Sequence, residues 1–390
     1  MKILLVHNRY RIAGGEDTVV HAEKSLLEAH GHQVTLLESD NANISGGLGQ
    51  LRTGMGAVYS LRGKRRVASE LAGIHPDIMH VHNFFPQFSP SIYSAAHDAG
   101  VAVVQTLHNY RLVCPKAVFF RDGHVCEDCL GVVPLPAVWH GCYRGSRLAT
   151  MPVATMVALH RALGTWTDMV DAYIALTEFC RQKFVQGGLP DGKICVKPHF
   201  VHPRPSIGSG DGGFALFVGR LSEEKGISTL LAAWKHLGKE IQLKIVGTGP
   251  LIDMVKSATM ESDGIEWLGQ VEREQVTSLM QRAWLLIFPS VWYETFGLGI
   301  IEAFAVGLPV VASNLGVMSS LVTHRRTGLH FCAGNADDLV EQVRWARAHP
   351  AEMAEIRRAA RREYEAHYTA ERNYEMLINI YQTAIRRVRQ

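Results

Sequence analysis

Residues 201–226 read VHPRPSIGSGDGGFALFVGRLSEEKG. The first thirteen are dense in Pro, Gly and Ser and carry no apolar period, so residues 201–213 read as a linker. FALFV at 214–218 is then an unbroken apolar run, the pattern of a strand buried on both faces. A strand that begins directly after a linker marks the start of a second folding unit. The same rhythm lies on either side of it. Upstream, apolar runs at 2–7, 33–38, 77–81, 102–107, 172–176 and 193–197 alternate with helical stretches such as 16–29 and 179–186. Downstream, runs at 214–218, 242–246, 264–268, 285–289, 309–312 and 328–331 do so again. Such alternation predicts parallel sheets with helices on both faces. The expected fold class is α/β: two doubly wound, Rossmann-like domains over residues 1–203 and 210–369, hinged near residue 205. Ligands of open α/β sheets bind beyond the carboxyl ends of the strands, which points to a cleft between the domains.

Composition narrows the class. Apolar residues make up 47% of 390 and charged residues 20%, an ordinary globular balance. A formal charge of +3 is too small to argue for nucleic acid as a partner. No stretch reaches the roughly 20 apolar residues of a membrane span. MKILLVHN at the start reads as a buried first strand and not as a signal peptide.

Three stretches carry chemistry. ETFGLGIIE, residues 294–302, follows the strand-like LLIFPS. With Glu294 in a loop and a helix opening at Phe296, the free amides of Gly297 and Leu298 would face a phosphate. Glu302, farther along that helix, would accept paired hydroxyl hydrogen bonds from a ribose. GRLSEEKG, residues 219–226, places Arg220 and Lys225 just past FALFV. A guanidinium fork and a compact ammonium there suit a pyrophosphate clamp. In IAGGEDTVV, Gly14 and Gly15 make a Gly-rich first βα turn that lets a ligand approach the backbone, although GxGxxG is absent.

Together, Glu294 and Glu302 in their E-x7-E spacing, GRLSEEKG and the Gly14–Gly15 turn resemble glycosyltransferase family 4, retaining enzymes of the two-domain GT-B type, with polysaccharide-type bacterial members. The resemblance implies a hexosyltransferase. A UDP- or GDP-sugar donor would be held mainly by the second domain and a glycan or lipid-linked acceptor by the first. It implies that Arg220 and Lys225 hold the diphosphate, Glu294 the donor sugar and Glu302 the ribose. His108 in TLHNYR would stand by the reacting centre, with His80, His82 and Asn83 as acceptor-side candidates. No carboxylate stands out beside His108, so retention through a front-face mechanism is expected, without a metal cofactor at the reaction centre. The family tail crosses back onto the first domain, here residues 370–390. A cytoplasmic location, at the inner face of the membrane where the acceptor is lipid-linked, follows from the same resemblance. Residues 51–66, basic with interleaved apolar residues, suit peripheral membrane contact or a solvated loop alike. The alternatives are an epimerase-like enzyme on this fold, or a non-catalytic sugar-nucleotide-binding subunit.

Between 111 and 147 the rhythm stops. This insertion holds Cys114, Cys126, Cys129 and Cys142, spaced C-x11-C-x2-C-x12-C. Four thiolates can hold a structural zinc, with His124 and His140 as substitutes. Packed free cysteines or disulfides are the other readings. Cys180, Cys195 and Cys332 read as buried small hydrophobes.

Overall fold

The computed structural model of the chain describes residues 1–9, 15–41, 54 and 56–389. The strands are β1 (Lys2–Arg9), β2 (Gln33–Asp40), β3 (Ile78–Val81), β4 (Ala102–Thr106), β5 (Phe120–Arg121), β6 (His124–Val125), β7 (Ala172–Ala175) and β8 (Ile194–Val196). They continue with β9 (Phe214–Val218), β10 (Gln242–Val246), β11 (Ile265–Gly269), β12 (Leu285–Phe288), β13 (Val310–Ser313) and β14 (Gly328–Phe331). The chain divides into two units: Met1–Phe119, Cys126–His199 and Glu371–Gln390 form one, Phe120–Val125 and Phe200–Ala370 the other.

In the first unit six parallel strands run in the order β2-β1-β3-β4-β7-β8. Ile3, Leu4, Leu5 and Val6 have no exposed surface, as a strand covered on both faces requires. The helix Gly15–Ala29 turns Val19, Val20, Glu23, Leu26 and Leu27 inward, one stripe at helical spacing. The helix Ala370–Arg389 buries Leu377, Ile380, Tyr381 and Ala384 in the same core as Ile3, Leu5 and Ile78. The tail thus completes this unit's core.

The second unit repeats the plan in the order β11-β10-β9-β12-β13-β14. Its core gathers Leu230, Trp234, Leu243, Ile245, Ile287 and Val311. Local signals set the helix ends in both units. Thr177 caps the helix Glu178–Gln186 by accepting from the Cys180 amide, and Asn335 caps Ala336–Ala348 by accepting from Asp338.

The Pro- and Gly-rich stretch differs from a free linker. It has no regular structure, but residues 200–213 belong to the second unit. The amides of Gly208, Gly210 and Gly212 donate to the carbonyls of Val306, Gln281 and Arg282. A Cβ on Gly208 would come within 2.2 Å of the Gln281 carbonyl oxygen, so the glycine permits this lacing. The hairpin β5–β6 likewise groups with the second unit, where the whole insertion 111–147 was expected in the first.

Candidate active site

In the second sheet β10 and β11 lie to one side of β9, and β12, β13 and β14 to the other. The order of winding therefore reverses between β9 and β12, the place where open α/β sheets bind ligands. The Arg220–Lys225 loop leaves β9 and the Glu294 loop leaves β12, so the reversal brings the two motifs together. Gly226 allows it. Its φ is 71°, and a Cβ there would lie 1.9 Å from the Pro289 carbonyl oxygen. The Val291 amide donates to the Glu224 carbonyl at 2.9 Å, pinning the loops side by side.

Glu294 is 6% exposed. Its Oε1 accepts from Lys225 Nζ at 2.6 Å and from the Ser290 hydroxyl at 2.7 Å. The Lys225 ammonium also lies 5.4 Å from the Trp292 ring centre and 5.7 Å from that of Phe288. Arg220 stands exposed in the turn after β9. The helix opens at Leu298, not at Phe296: Gly297 caps Leu298–Ala305 with φ 95°, a left-handed conformation that ends the preceding loop. Phe296 is buried, edge-on to Tyr368 at 6.2 Å, so its side chain packs and only its backbone could meet a ligand. The first amides of that helix have no partner within it, which leaves a donor set beside the Lys225–Glu294 pair.

Glu302 lies in different surroundings from Glu294. It lines a cavity of about 360 Å³ with Arg273, Ser206, Gln281 and Thr277. Burial pushes its carboxyl up to about 7, and Arg273, 4.0 Å away, offsets only part of that. Arg273 and Ser290 carried no signal in the sequence.

In the first sheet the winding reverses between β1 and β3. His108 follows β4 and is 8% exposed. Its Nε2 shares a hydrogen bond with His82 Nδ1 at 2.9 Å, and its ring stacks on His199 at 5.2 Å. Burial, then His82 and His199, hold its imidazole well below the usual value, so it works as a neutral ring.

Of the acceptor-side candidates His80, His82 and Asn83, the last two line a pocket together with His108, and His80 does not. His80 has no exposed surface and hydrogen-bonds Tyr381 and Thr106. His82 Nε2 and His80 Nδ1 both face Glu23 Oε1, at 3.3 and 3.2 Å. Asn83 donates to the Asn8 carbonyl and accepts from the Phe85 amide. Glu23, buried in the middle of an apolar helix face, is the carboxylate the sequence reading passed over near His108, and that placement was its signal. Glu23, His80 and His82 bring their donor atoms within 4.8 Å of one another, a span a metal could bridge. The Lys197 ammonium at 3.0 Å from Glu23 Oε2 already balances the charge, and Asn373 accepts from the same ammonium.

Gly15 is the first residue of the helix Gly15–Ala29, while Gly14 and residues 51–53 and 55 of the basic segment lie outside the described residues. None of the seven cysteines is in a disulfide. Cys180 is buried as expected, but Cys332 is exposed past β14, where its amide donates to Asp338 at 2.6 Å.

Two sequence models of sugar-transferring proteins match in series. Residues 13–204 match Glycosyltransferase Family 4, and residues 204–363 match Glycosyl transferases group 1. The chain belongs to glycosyltransferase family 4. Over 161 residues this family-4 chain is 32% identical to a D-rhamnosyltransferase of Pseudomonas aeruginosa, a match spanning 40% of this chain and 42% of that protein. A phosphatidyl-myo-inositol mannosyltransferase of Mycobacterium leprae is 26% identical over 270 residues, 66% of this chain and 68% of that one. Among solved structures, HepE of Anabaena in complex with UDP aligns with a TM-score of 0.70 at 18% identity, covering 98% of this chain and all of the other. That likeness shows the GT-B fold.

Proposed function

We propose that this family-4 chain is a retaining glycosyltransferase that moves a sugar from a UDP- or GDP-sugar to a hydroxyl of a glycan or lipid-linked acceptor. The observation that carries the reading is the Lys225–Glu294 pair, set at the winding reversal of the second sheet beside a helix N-terminus. Lys225, Arg220 and the amides at Gly297–Leu298 take up charge as the diphosphate departs. Glu294 holds hydroxyls of the donor sugar. The acceptor oxygen attacks the anomeric carbon on the face the diphosphate leaves, and its proton passes to the departing phosphate oxygen. Neutral His108 hydrogen-bonds the sugar without adding charge.

A thermal-shift screen against UDP-, GDP-, ADP- and dTDP-sugars tests the reading. A ligand bound only by the native state raises the melting temperature by mass action. A rise with a UDP- or GDP-sugar is expected; no rise with any of the four would end the proposal. Release of free sugar from the bound donor without acceptor separates an enzyme from a mere binder.

Glu302 gives the site a pH dependence. Its folded value near 7 lies above the ordinary 4.5, so its contribution to stability is present below 4.5 and is lost as pH rises through about 7. A ribose held by paired hydroxyls needs the ionised form, so donor binding below 7 requires loss of a proton. Affinity should climb by up to about tenfold per pH unit toward pH 7 and then level. Glu302→Gln should flatten that slope in titrations at several pH values; an unchanged slope removes Glu302 from the ribose site.

The clustered cysteines are proposed to hold a structural zinc. Burial first, then Cys114, Cys142 and Cys126, push the Cys129 thiol up to about 12, which marks the four thiols as neighbours. Among the described residues Glu23, His80 and His82 are the one group of three or more with all donor atoms within 4.8 Å of one another, so a zinc held by all four thiols would have to draw the sulfurs in. Elemental analysis of tag-free protein should find one zinc per chain, lost on Cys129→Ser. Its absence from the unaltered protein would leave the thiols as packing residues.

A further inference from the structure

A carboxylate and two imidazoles in the first unit form a chain that only one distribution of protons satisfies. Glu23 comes from the middle of the helix Gly15–Ala29, His82 from the residue after β3, and His108 from just past β4. β3 and β4 are neighbours, with Val81 opposite Gln105, so the two histidines leave adjacent strand ends. All three side chains are buried. Lys197 holds Glu23 Oε2 at 3.0 Å, which leaves Oε1 to the imidazoles. Burial alone would raise this carboxyl, but Lys197, His80 and His82 outweigh it, so it is ionised and has no proton to give.

The proton positions then follow from the partners. His82 Nε2 faces Glu23 Oε1 at 3.3 Å. Burial holds the His82 ring down to about 3, so it carries one proton, and that proton belongs on the nitrogen facing the carboxylate. His82 Nδ1 is therefore an acceptor. His108 Nε2 lies 2.9 Å from it and must donate. His108 is neutral as well, so the lone pair of its ring sits on Nδ1. The neighbouring groups set no competing pattern. His80 also turns Nδ1 to Glu23 Oε1, at 3.2 Å, but its nitrogens meet the hydroxyls of Tyr381 and Thr106, and a hydroxyl rotates to suit either tautomer. His7 is paired with Asp17 at 2.7 Å, and His199 meets the His108 ring by stacking. The nitrogens of His82 face a carboxylate oxygen and another imidazole, neither of which can rotate to accommodate a different tautomer.

We propose that Glu23 and His82 are positioning residues that fix the proton of His108 on Nε2 and make Nδ1 a hydrogen-bond acceptor. A ligand group that meets this nitrogen has to donate, which a sugar hydroxyl does and an anionic phosphate oxygen does not. The inference rests on the reading of His108 as a sugar contact and deepens it by giving that contact a direction. Proton–nitrogen correlation spectra of the full chain, grown with isotope-labelled histidine, test it, because protonated and bare ring nitrogens resonate far apart. The two rings are identified by the signals lost in His82→Asn and His108→Asn. Both should show a protonated Nε2 and a bare Nδ1. His82→Asn should preserve the His108 pattern, since its amide can donate to Glu23 while its oxygen accepts from His108. His82→Leu should release His108 into a mixture of tautomers. Glu23→Leu combined with Lys197→Met should do the same without leaving a buried charge unpaired, which covers a single variant that fails to fold. A purely structural role would move the melting temperature and leave the tautomer alone. A His108 protonated on Nδ1 in the unaltered protein, or a pattern that survives either His82→Leu or the paired variant, would overturn the proposal. The spectra need no sugar nucleotide, so the tautomer and the donor reading can fail separately.

Discussion

Lys225→Ala lowers turnover at least ~100-fold, and Glu294→Ala does the same, the scale of losing one preorganised contact to developing charge. The two side chains touch at 2.6 Å, so their losses should not add. Lys225→Ala also removes the ammonium that balances the Glu294 carboxylate, 6% exposed, which should cost stability. The double variant removes both charges. It should melt closer to the unaltered protein than either single variant while staying as inactive as the worse of them. Steady-state kinetics beside thermal melts separate the two effects. Near-normal turnover in both single variants would remove the pair from the reaction.

Glu23→Gln carries the largest expected cost in stability. Glu23 is 1% exposed and Lys197 also 1%, joined at 3.0 Å. Deleting one charge of such a pair leaves the other buried without compensation, a loss of about 3–5 kcal/mol. Denaturant unfolding should show it as a lower midpoint. Glu23→Gln combined with Lys197→Met should recover most of it, because a neutral buried pair needs no counter-charge. The pH dependence has the opposite sign to that of Glu302. Burial alone would raise the Glu23 carboxyl, but Lys197, His80 and His82 outweigh it and hold it well below 4.5. Its contribution is therefore present above 4.5 and is lost as pH falls through the lower folded value, and Glu23→Gln should lack that acid-side loss.

Much of this was legible residue by residue. FALFV became β9 over the same five residues, and VVQT fell within β4, because apolar runs of that length have one economical fate in an α/β chain. ETFGLGIIE showed its glycines, but not that Gly297 would delay the helix to Leu298, since a left-handed cap depends on the loop it closes. His80 and His82 both end a strand, yet His82 lines the pocket beside His108 and His80 does not. Which way a strand-end side chain turns depends on its neighbours, and here Tyr381 and Thr106 claimed His80. Cys332 followed the apolar pattern of β14 but came one residue after the strand ended, and so reached solvent.

The amino-acid order alone determined the two-fold repetition of strand and helix, the break between the halves, and the residue types of the candidate site. These rest on local period, turn chemistry and charge, which act over a few residues. Tertiary structure alone decided that Lys225 and Glu294, 69 positions apart, meet at 2.6 Å. It likewise decided that Glu23 is met by Lys197, 174 positions on. Those outcomes depend on the order of strands in each sheet, which brings distant loops together and which no short window of sequence encodes.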